Sequence, residues 1–292
     1  MELSWKLGAW MLLLPDPPRY AMGRAPLAQV IIQVSFPVLA RLQTLDGIAP
    51  LQDALFDLFP YMNRNRVQQV SMLVGPTGPA ASDSNEIWIN EFTNDDGWTL
   101  TVTESSASLS VGGSDYPGLQ DIEDMFEQVC TALTEAMNVR RCDRIGTRYM
   151  NVVRTDRLGW STWFKPQIIG FADPELTPPE HLVATITETR LRRPPTGNFA
   201  WALDKPVEGI TRYGVVPAGS VIAGVPPRPL DAPSLVLDID MFIAAPQKFG
   251  PKALAEQFRE LHTEIEKIFF WAVTDAGKEE FEVTVRGEEG SE

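Results

Sequence analysis

Two long amphipathic patterns, each preceded by a run of short apolar segments, constrain the fold of this chain more than any other feature. The first runs from Leu119 to Met137 and repeats apolar residues every three or four positions, which is helical spacing. The second runs from about Pro251 to Val273, where the proline suits the first turn of a helix. Several strands followed by a helix favour an α+β fold over a doubly wound parallel sheet.

The segments before each helix have the β-branched content and the alternation of strands. Ile87 to Phe92 and Trp98 to Thr103 predict a hairpin, because the Asp96-Gly97 pair between them suits the positive φ of a tight turn. Residues 212–216 and 220–225 are predicted to pair across the Pro217-Ala218-Gly219 turn. Further strands are predicted over 30–36, 67–74, 107–111, 142–153, 183–191, 198–203 and 235–243.

We therefore expect two similar lobes, each an antiparallel sheet followed by one long amphipathic helix. A connector rich in proline and aromatic residues marks the boundary between them. The predicted parts are an N-terminal extension 1–19, a first α+β lobe 20–155, the connector 156–181, a second α+β lobe 182–286 and an acidic tail 287–292. The two sheets could be separate, continuous, or paired between subunits.

Composition limits the classes of function. The chain has 292 residues and a net charge of −14, which argues against a general nucleic-acid binder because phosphate neutralisation needs a basic surface. The apolar run from Trp5 to Leu14 is far shorter than the roughly 20 residues that span a bilayer. Since no other segment could span one, we predict a cytoplasmic protein without a membrane span.

The sequence predicts no cofactor and no catalytic residue. Its two cysteines and two histidines give neither a disulfide framework nor the usual zinc ligands, and Cys130 is predicted to be a small buried thiol. The glycine turns lack the strand–loop–helix context and the lysine of phosphate-cradling loops. These absences favour a non-enzymatic protein without deciding the point.

The segment Arg144-Ile-Gly-Thr-Arg-Tyr-Met-Asn151 places two arginines on one face of a strand, because side chains alternate. Arg190 and Arg192 share a face of a second strand with Glu188. If these strands were neighbours, Arg144, Arg148, Arg190 and Arg192 could bind an anion or nucleic acid. The alternative is that the arginines pair with carboxylates across the sheet.

A metal site is a second candidate. Asp238 and Asp240 lie two residues apart on one strand face, a geometry that can hold a divalent cation. His262, on the second long helix, would complete a hydrolase-like cluster with them. The simpler alternative is that the two aspartates face arginines, while His262 flanks the apolar stripe of its helix and bonds to a carbonyl or a carboxylate.

Several segments together resemble one family. They are Ala25 to Ile31, the Arg-Ile-Gly-x-Arg-Tyr-x-Asn segment at 144–151, and Leu237-Asp238-Ile239-Asp240. This pattern is similar to an uncharacterised, sporadically distributed prokaryotic family, over about Tyr20 to Asp275. The resemblance implies no catalytic residues. It implies an accessory gene, and with it a defence or stress context.

We expect a non-enzymatic binding or adaptor module that acts with a protein partner, or as a homo-oligomer, in an accessory or antiviral-defence operon. The first alternative is a nucleic-acid or nucleotide binder that uses the arginine-rich sheet face. The second is a metal-dependent hydrolase.

Overall fold

The computed structural model describes residues 14, 18, 20–75, 78–154, 157–178, 181–193, 206–221 and 229–285. The predicted acidic tail, almost all of the predicted N-terminal extension and the predicted strand 198–203 lie outside these residues. No helix within the described ranges is both long and apolar enough to cross a bilayer.

Thirteen strands and six α-helices form the described part of the chain. In chain order they are β1 Tyr20–Met22, β2 Leu27–Ser35, α1 Leu45–Leu55, β3 Tyr61–Gly75, β4 Gly78–Thr93, β5 Trp98–Val102, β6 Ser106–Gly112, α2 Leu119–Met137, β7 Arg141–Cys142, β8 Arg144–Arg154, α3 Arg157–Trp163, α4 Pro166–Ile169, β9 Thr187–Arg193, β10 Val207–Val216, β11 Ser234–Ile243, β12 Gln247–Lys248, α5 Pro251–Ala272, α6 Asp275–Glu280 and β13 Val283–Val285.

Nine of the strands form one sheet in the order β3-β4-β5-β6-β2-β8-β11-β10-β9, and every neighbouring pair is antiparallel. β1 with β13, and β7 with β12, form two small additional pairs. β4 meets β5 at Asn90–Thr93, so the hairpin of β3 and β4 continues past the sheet as a two-stranded ribbon. The antiparallel sheet and the helices agree with the predicted α+β class.

The two halves of the chain meet in the middle of this sheet, where β2 pairs with β8. Counting outward, β2, β6, β5, β4 and β3 form one side of the sheet, and β8, β11, β10 and β9 form the other. We call these sides the two halves; β8, which the predicted boundary at residue 155 places in the first lobe, therefore lies with the strands of the second half. Each half thus supplies one strand, then a meander that returns beside it, then a long helix. The order of elements agrees with the sequence, but two lobes with separate sheets are not confirmed, because the sheet is continuous.

The long helices α2 and α5 pack against each other, and α5 lies on the central strands β8 and β11. The strand residues on this side are buried, such as Val30, Ile32 and Val34 of β2, while the intervening residues are half-buried. Cys130 of α2 is fully buried, as predicted. Alternation therefore places the core between the helices and one face of the sheet.

The connector packs on this core through Trp160 and Phe164, while its Phe171 is exposed. Trp160 is 1% exposed and its Nε1 donates a hydrogen bond to the carbonyl of Val153 at 3.1 Å. Phe164 is buried beside the end of α5, where it forms a bridge with Val273. The connector thus covers the sheet rather than separating two bodies.

One predicted pairing in the second half is wrong. β10 pairs with β9 on one side and β11 on the other, instead of with residues 220–225. Ser220 and Val221 lie outside any strand, and residues 222–225 lie outside the described ranges. Pro217 and Gly219 do form a turn, in which the backbone N–H of Ser220 donates to the carbonyl of Pro217, but the next strand that pairs with β10 is β11.

Phe258 joins the two long helices, since its ring lies 6.1 Å from that of Phe126 and its side chain is fully buried. We expect Phe258→Ala to lower the free energy of unfolding by about 3–5 kcal/mol, because it leaves a cavity in the core. Urea denaturation measures this. Phe171→Ala is the control: that ring is 75% exposed, so its loss should change stability by no more than about 0.5 kcal/mol. Equal losses for both variants would contradict the assignment of the core.

Candidate functional site

We call the side of the sheet that faces away from α2 and α5 the open face. Its central strands present half-buried polar side chains: Gln29 and Gln33 of β2, Ser108 and Ser110 of β6, Thr99 and Thr101 of β5, Arg144 and Arg148 of β8, and Asp240 of β11. Toward one end of this face Met150 and Val236 are buried outside the main core, so the face is covered there. The remainder is accessible.

An ion-pair ladder crosses the second half of the open face. Arg148 binds Asp238 with two parallel hydrogen bonds, from Nε at 2.7 Å and from Nη2 at 2.8 Å. Asp238 also accepts from Arg212 at 3.4 Å, and Arg212 Nε donates to Glu188 at 2.8 Å. Arg190 Nε completes the ladder with a 2.8 Å bond to Glu188. The ladder therefore links β8, β11, β10 and β9.

The remaining arginines on this face also have carboxylate partners. These pairs are Arg144 with Asp240 at 3.4 Å, Arg154 with Asp231 at 3.6 Å, and Arg192 with Glu208 at 3.7 Å. The alternative in which carboxylates match the arginines across the sheet is therefore what the structure shows. An anion would have to compete with a carboxylate at each of these arginines.

The pKa shifts within the ladder have the directions that ionised pairs produce. The hydrogen bond to Asp238 raises the pKa of Arg148 above its usual value. Hydrogen bonds from Arg190 and Arg212 lower the pKa of the Glu188 carboxyl. Both shifts favour the charged forms of these two groups, Arg148 and Glu188.

Arg144 is held differently from Arg148. Its Nη2 faces both oxygens of Asp240 at 3.4 Å, which is longer than the usual 2.7–2.9 Å of a charge-assisted bond. Its Nη1 donates to Gln33 Oε1 at 3.2 Å, and its guanidinium carbon lies 4.4 Å from the centre of the Phe242 ring. A Cβ at Gly146 would lie 2.7 Å from Nη1, so a side chain at this position would displace the guanidinium from where it lies. We call this arrangement the Arg144 seat.

The Arg144 seat lies in a cleft of about 620 Å³ that extends across the open face from Glu91 of β4 to Asp240 of β11. One wall carries hydroxyls and amides, and Gln33 Nε2 donates to Ser108 Oγ at 2.9 Å. The other wall carries Arg144, Arg148 and Asp240. Burial raises the pKa of the Asp240 carboxyl, and the nearby Arg144 and Arg148 oppose that rise.

The structure divides the four predicted anion-binding arginines. Arg144 and Arg148 lie together on β8, whereas Arg190 and Arg192 lie on β9, with β11 and β10 between the two strands. The four therefore do not form one patch on adjacent strands. That any of them binds an anion stays a prediction.

The predicted metal ligands are not brought together. Asp238 and Asp240 point to the open face, where they meet arginines. His262 lies on α5, with its ring 5.2 Å from Tyr149, the residue after Arg148 and therefore on the opposite face. Its Nε2 lies 3.3 Å from Glu266 Oε1, as the carboxylate alternative expects. Among the described residues no group of three or more His, Cys, Asp or Glu could hold a metal ion.

Sequence reasoning missed most of the cleft wall. The side chains it missed are Gln29, Gln33, Thr99, Thr101, Ser108 and Ser110. The alternation of β6, in which serines at 106, 108 and 110 separate buried Ala107, Leu109 and Val111, did signal a polar outer face. Their position beside Arg144 depends on the pairing of β2 with β8, for which the sequence carries no signal.

Comparisons with known proteins do not assign this chain to a family. A scan against models of protein families finds no match to this chain, and a search of curated proteins finds no match either. The resemblance noted from the sequence segments therefore stays a prediction.

The ladder predicts that two of its arginines, Arg148 and Arg190, contribute differently to the free energy of unfolding. Arg148→Met should lower the free energy of unfolding by about 3 kcal/mol, because it leaves Asp238, whose side chain is 5% exposed, with the longer contact to Arg212. Arg190→Met should cost less than about 1 kcal/mol, because that arginine is exposed. Urea denaturation of both variants measures the difference. Equal costs would contradict a special role for the Arg148–Asp238 pair.

We expect the titration of Asp240 to make the stability of the fold depend on pH. Because its pKa is raised in the folded state, its ionisation favours unfolding, so its contribution to stability is lost as pH rises through the folded pKa. Asp240→Asn cannot ionise. The stability of this variant relative to wild type should therefore increase as pH rises from just below the ordinary carboxyl pKa, about 3.9, and become constant once pH exceeds the raised pKa of folded Asp240. Denaturation curves across that window measure the trend.

Asp275→Asn is the control with the opposite sign. A hydrogen bond from Lys278 lowers the pKa of the Asp275 carboxyl, so its contribution is present above the ordinary carboxyl pKa and is lost as pH falls. The relative stability of this variant should decrease as pH rises. A decrease for Asp240→Asn as well would show that burial of Asp240 does not govern its titration.

Proposed function

We propose that this chain is a non-enzymatic binding module that holds a partner protein against the open face of its sheet. The observation that carries the proposal is a nine-stranded sheet whose long helices pack on one face, while the arginines of the other face are paired with the chain's own carboxylates. Such a face can be covered without burying unpaired charges.

The open face is also preorganised. The ladder fixes the side chains of Arg148, Arg212 and Arg190 through bonds of 2.7–2.8 Å to Asp238 and Glu188. Side chains that are already fixed lose little conformational entropy when a partner covers them. Half-buried apolar residues, Ile31 and Ile210, lie between the polar ones and add surface that favours burial.

Net charge indicates the kind of partner. Two copies of a chain with a net charge of −14 repel each other, and a large net charge keeps proteins monomeric. A basic protein is attracted by the same field, and it can then use the charge-balanced open face for close contact. We therefore propose a basic protein partner rather than a homo-oligomer.

The proposal extends to the domain organisation, the genetic context and the cellular location of the protein. The matching strand order of the two halves supports two similar lobes that are fused through β2 and β8. The family resemblance supports an accessory or defence-related operon. The acidic composition is compatible with a cytoplasmic location.

The nucleic-acid binder and the metal-dependent hydrolase are both less well supported than the binding module. A nucleic-acid face needs arginines that are free for phosphates, and those of the open face already bind carboxylates. A metal-dependent hydrolase needs His262 beside Asp238 and Asp240, and the sheet lies between them.

Affinity capture with the full chain, followed by reconstitution with the purified partner, tests the proposal. Ser110→Arg adds a bulky cation to the open face and should weaken complex formation about tenfold or more, a loss of about 1.4 kcal/mol for each factor of ten. Gln128→Arg is the matched control, because it adds the same charge to the exposed side of α2.

The measurement is the dissociation constant of the reconstituted complex, together with hydrogen-exchange protection of the backbone. We expect new protection in β6, β2 and β8. Protection confined to α1, α2 or α5 would place the partner elsewhere. Equal weakening by both variants, or a stable homodimer in light scattering, would also overturn the proposal.

A further inference from the structure

We propose that the cleft on the open face binds a small, hydroxyl-rich carboxylate, with the carboxylate at the Arg144 seat and the hydroxyls along β6 and β5. This site goes beyond the partner binding proposed above and does not depend on it.

Arg144 is the arginine of the cleft that can accept a new partner. Its two contacts with Asp240 come from one nitrogen and measure 3.4 Å, whereas Arg148 binds Asp238 with two bonds of 2.7 and 2.8 Å. A ligand carboxylate that accepts short bonds from Arg144 would exchange long contacts for short ones. The same exchange at Arg148 would leave the buried Asp238 poorly paired.

The seat also fixes the direction of the guanidinium. Gln33 and Phe242 lie opposite Gly146 on the two neighbouring strands, so they flank the group on either side. The guanidinium carbon lies 4.4 Å from the centre of the Phe242 ring, and Gln33 Oε1 accepts a hydrogen bond from Nη1. A guanidinium held in this way presents a fixed donor geometry to a carboxylate at little entropic cost.

The opposite wall favours hydroxyls. Ser110 and Thr99 lie opposite each other in one row of the sheet, and Ser108 and Thr101 do so in the next. These side chains can both donate and accept, as sugar-like hydroxyls do. Beside them the buried Oε1 of Gln29 has no hydrogen-bond partner among the described residues, and a ligand hydroxyl could supply the missing donor.

The charge, lining and volume of the cleft favour a small carboxylate over a nucleotide as its ligand. The described lining of the cleft contains two arginines and two carboxylates, so it has no excess charge to offset a polyphosphate. None of the described lining residues is aromatic, and the nearby Phe242 ring is already occupied by the guanidinium of Arg144, so the described lining offers a nucleobase no stacking surface. A volume of about 620 Å³ lies within the roughly 300–1,000 Å³ range of small-molecule sites.

Calorimetric titration of the full chain with sodium gluconate tests the inference. Glucose supplies the hydroxyls without the carboxylate, acetate supplies the carboxylate without the hydroxyls, and ATP represents the nucleotide class. We expect gluconate to bind about tenfold or more tightly than each of the other three, since either half of the ligand alone loses a charged or several neutral hydrogen bonds.

Two variants locate the site. Arg144→Gln should weaken gluconate binding about tenfold or more, because the charge-assisted bonds are lost, while Arg190→Gln, outside the cleft, should leave it unchanged. Ser110→Ala should weaken gluconate binding without affecting the weaker acetate binding. It also keeps the test valid if Arg144→Gln does not fold, which circular dichroism checks.

The results of these titrations distinguish failure of the ligand site from failure of the proposed partner binding. No heat with gluconate, tighter binding of ATP, or equal effects of Arg144→Gln and Arg190→Gln would each overturn the site. A chain that binds gluconate but captures no partner protein would support the cleft and contradict the adaptor. The reverse result would support the adaptor alone.

Discussion

The antiparallel pairing of β2 with β8 is the contact on which the rest of the architecture depends. It joins the strand with which each half of the chain enters the nine-stranded sheet, and each meander then extends the sheet outward. Because both long helices follow their meanders, the pairing also brings α2 and α5 side by side on one face. One face is thereby filled and the other is left open, with the hydroxyl-rich strands of the first half next to the arginines of the second.

The two faces stabilise the fold in different ways. The helix side removes apolar surface from water, and rings such as Phe258 and Trp160 are almost completely buried there. The ladder contributes specificity more than free energy, because buried ion pairs often do no better than apolar residues of the same size. A register slip of one residue in β11 would turn Asp238 and Asp240 into the core, so the ladder discriminates strongly against that alternative.

The sequence predicts the structural features that local periodicity encodes, but not those that depend on pairing between strands far apart in the chain. The helices α2 and α5, the face shared by Arg144 and Arg148, and the burial of Cys130 follow from local patterns, and the structure agrees with them. The single sheet, the separation of β8 from β9, and the cleft follow from contacts between residues about a hundred positions apart. His262 shows the same limit: its distance from Asp238 along the chain gave no indication that a sheet lies between them.

The shared carboxylates of the ladder have a consequence for its evolution. Asp238, Arg212 and Glu188 each bind two ladder partners of opposite charge, so reversing the sign of any one of them disrupts two ion pairs at once. Single replacements there should be non-additive, as expected for coupled sites. In related chains these positions should therefore vary as a block, with arginines and acids exchanged in concert or replaced together by apolar residues.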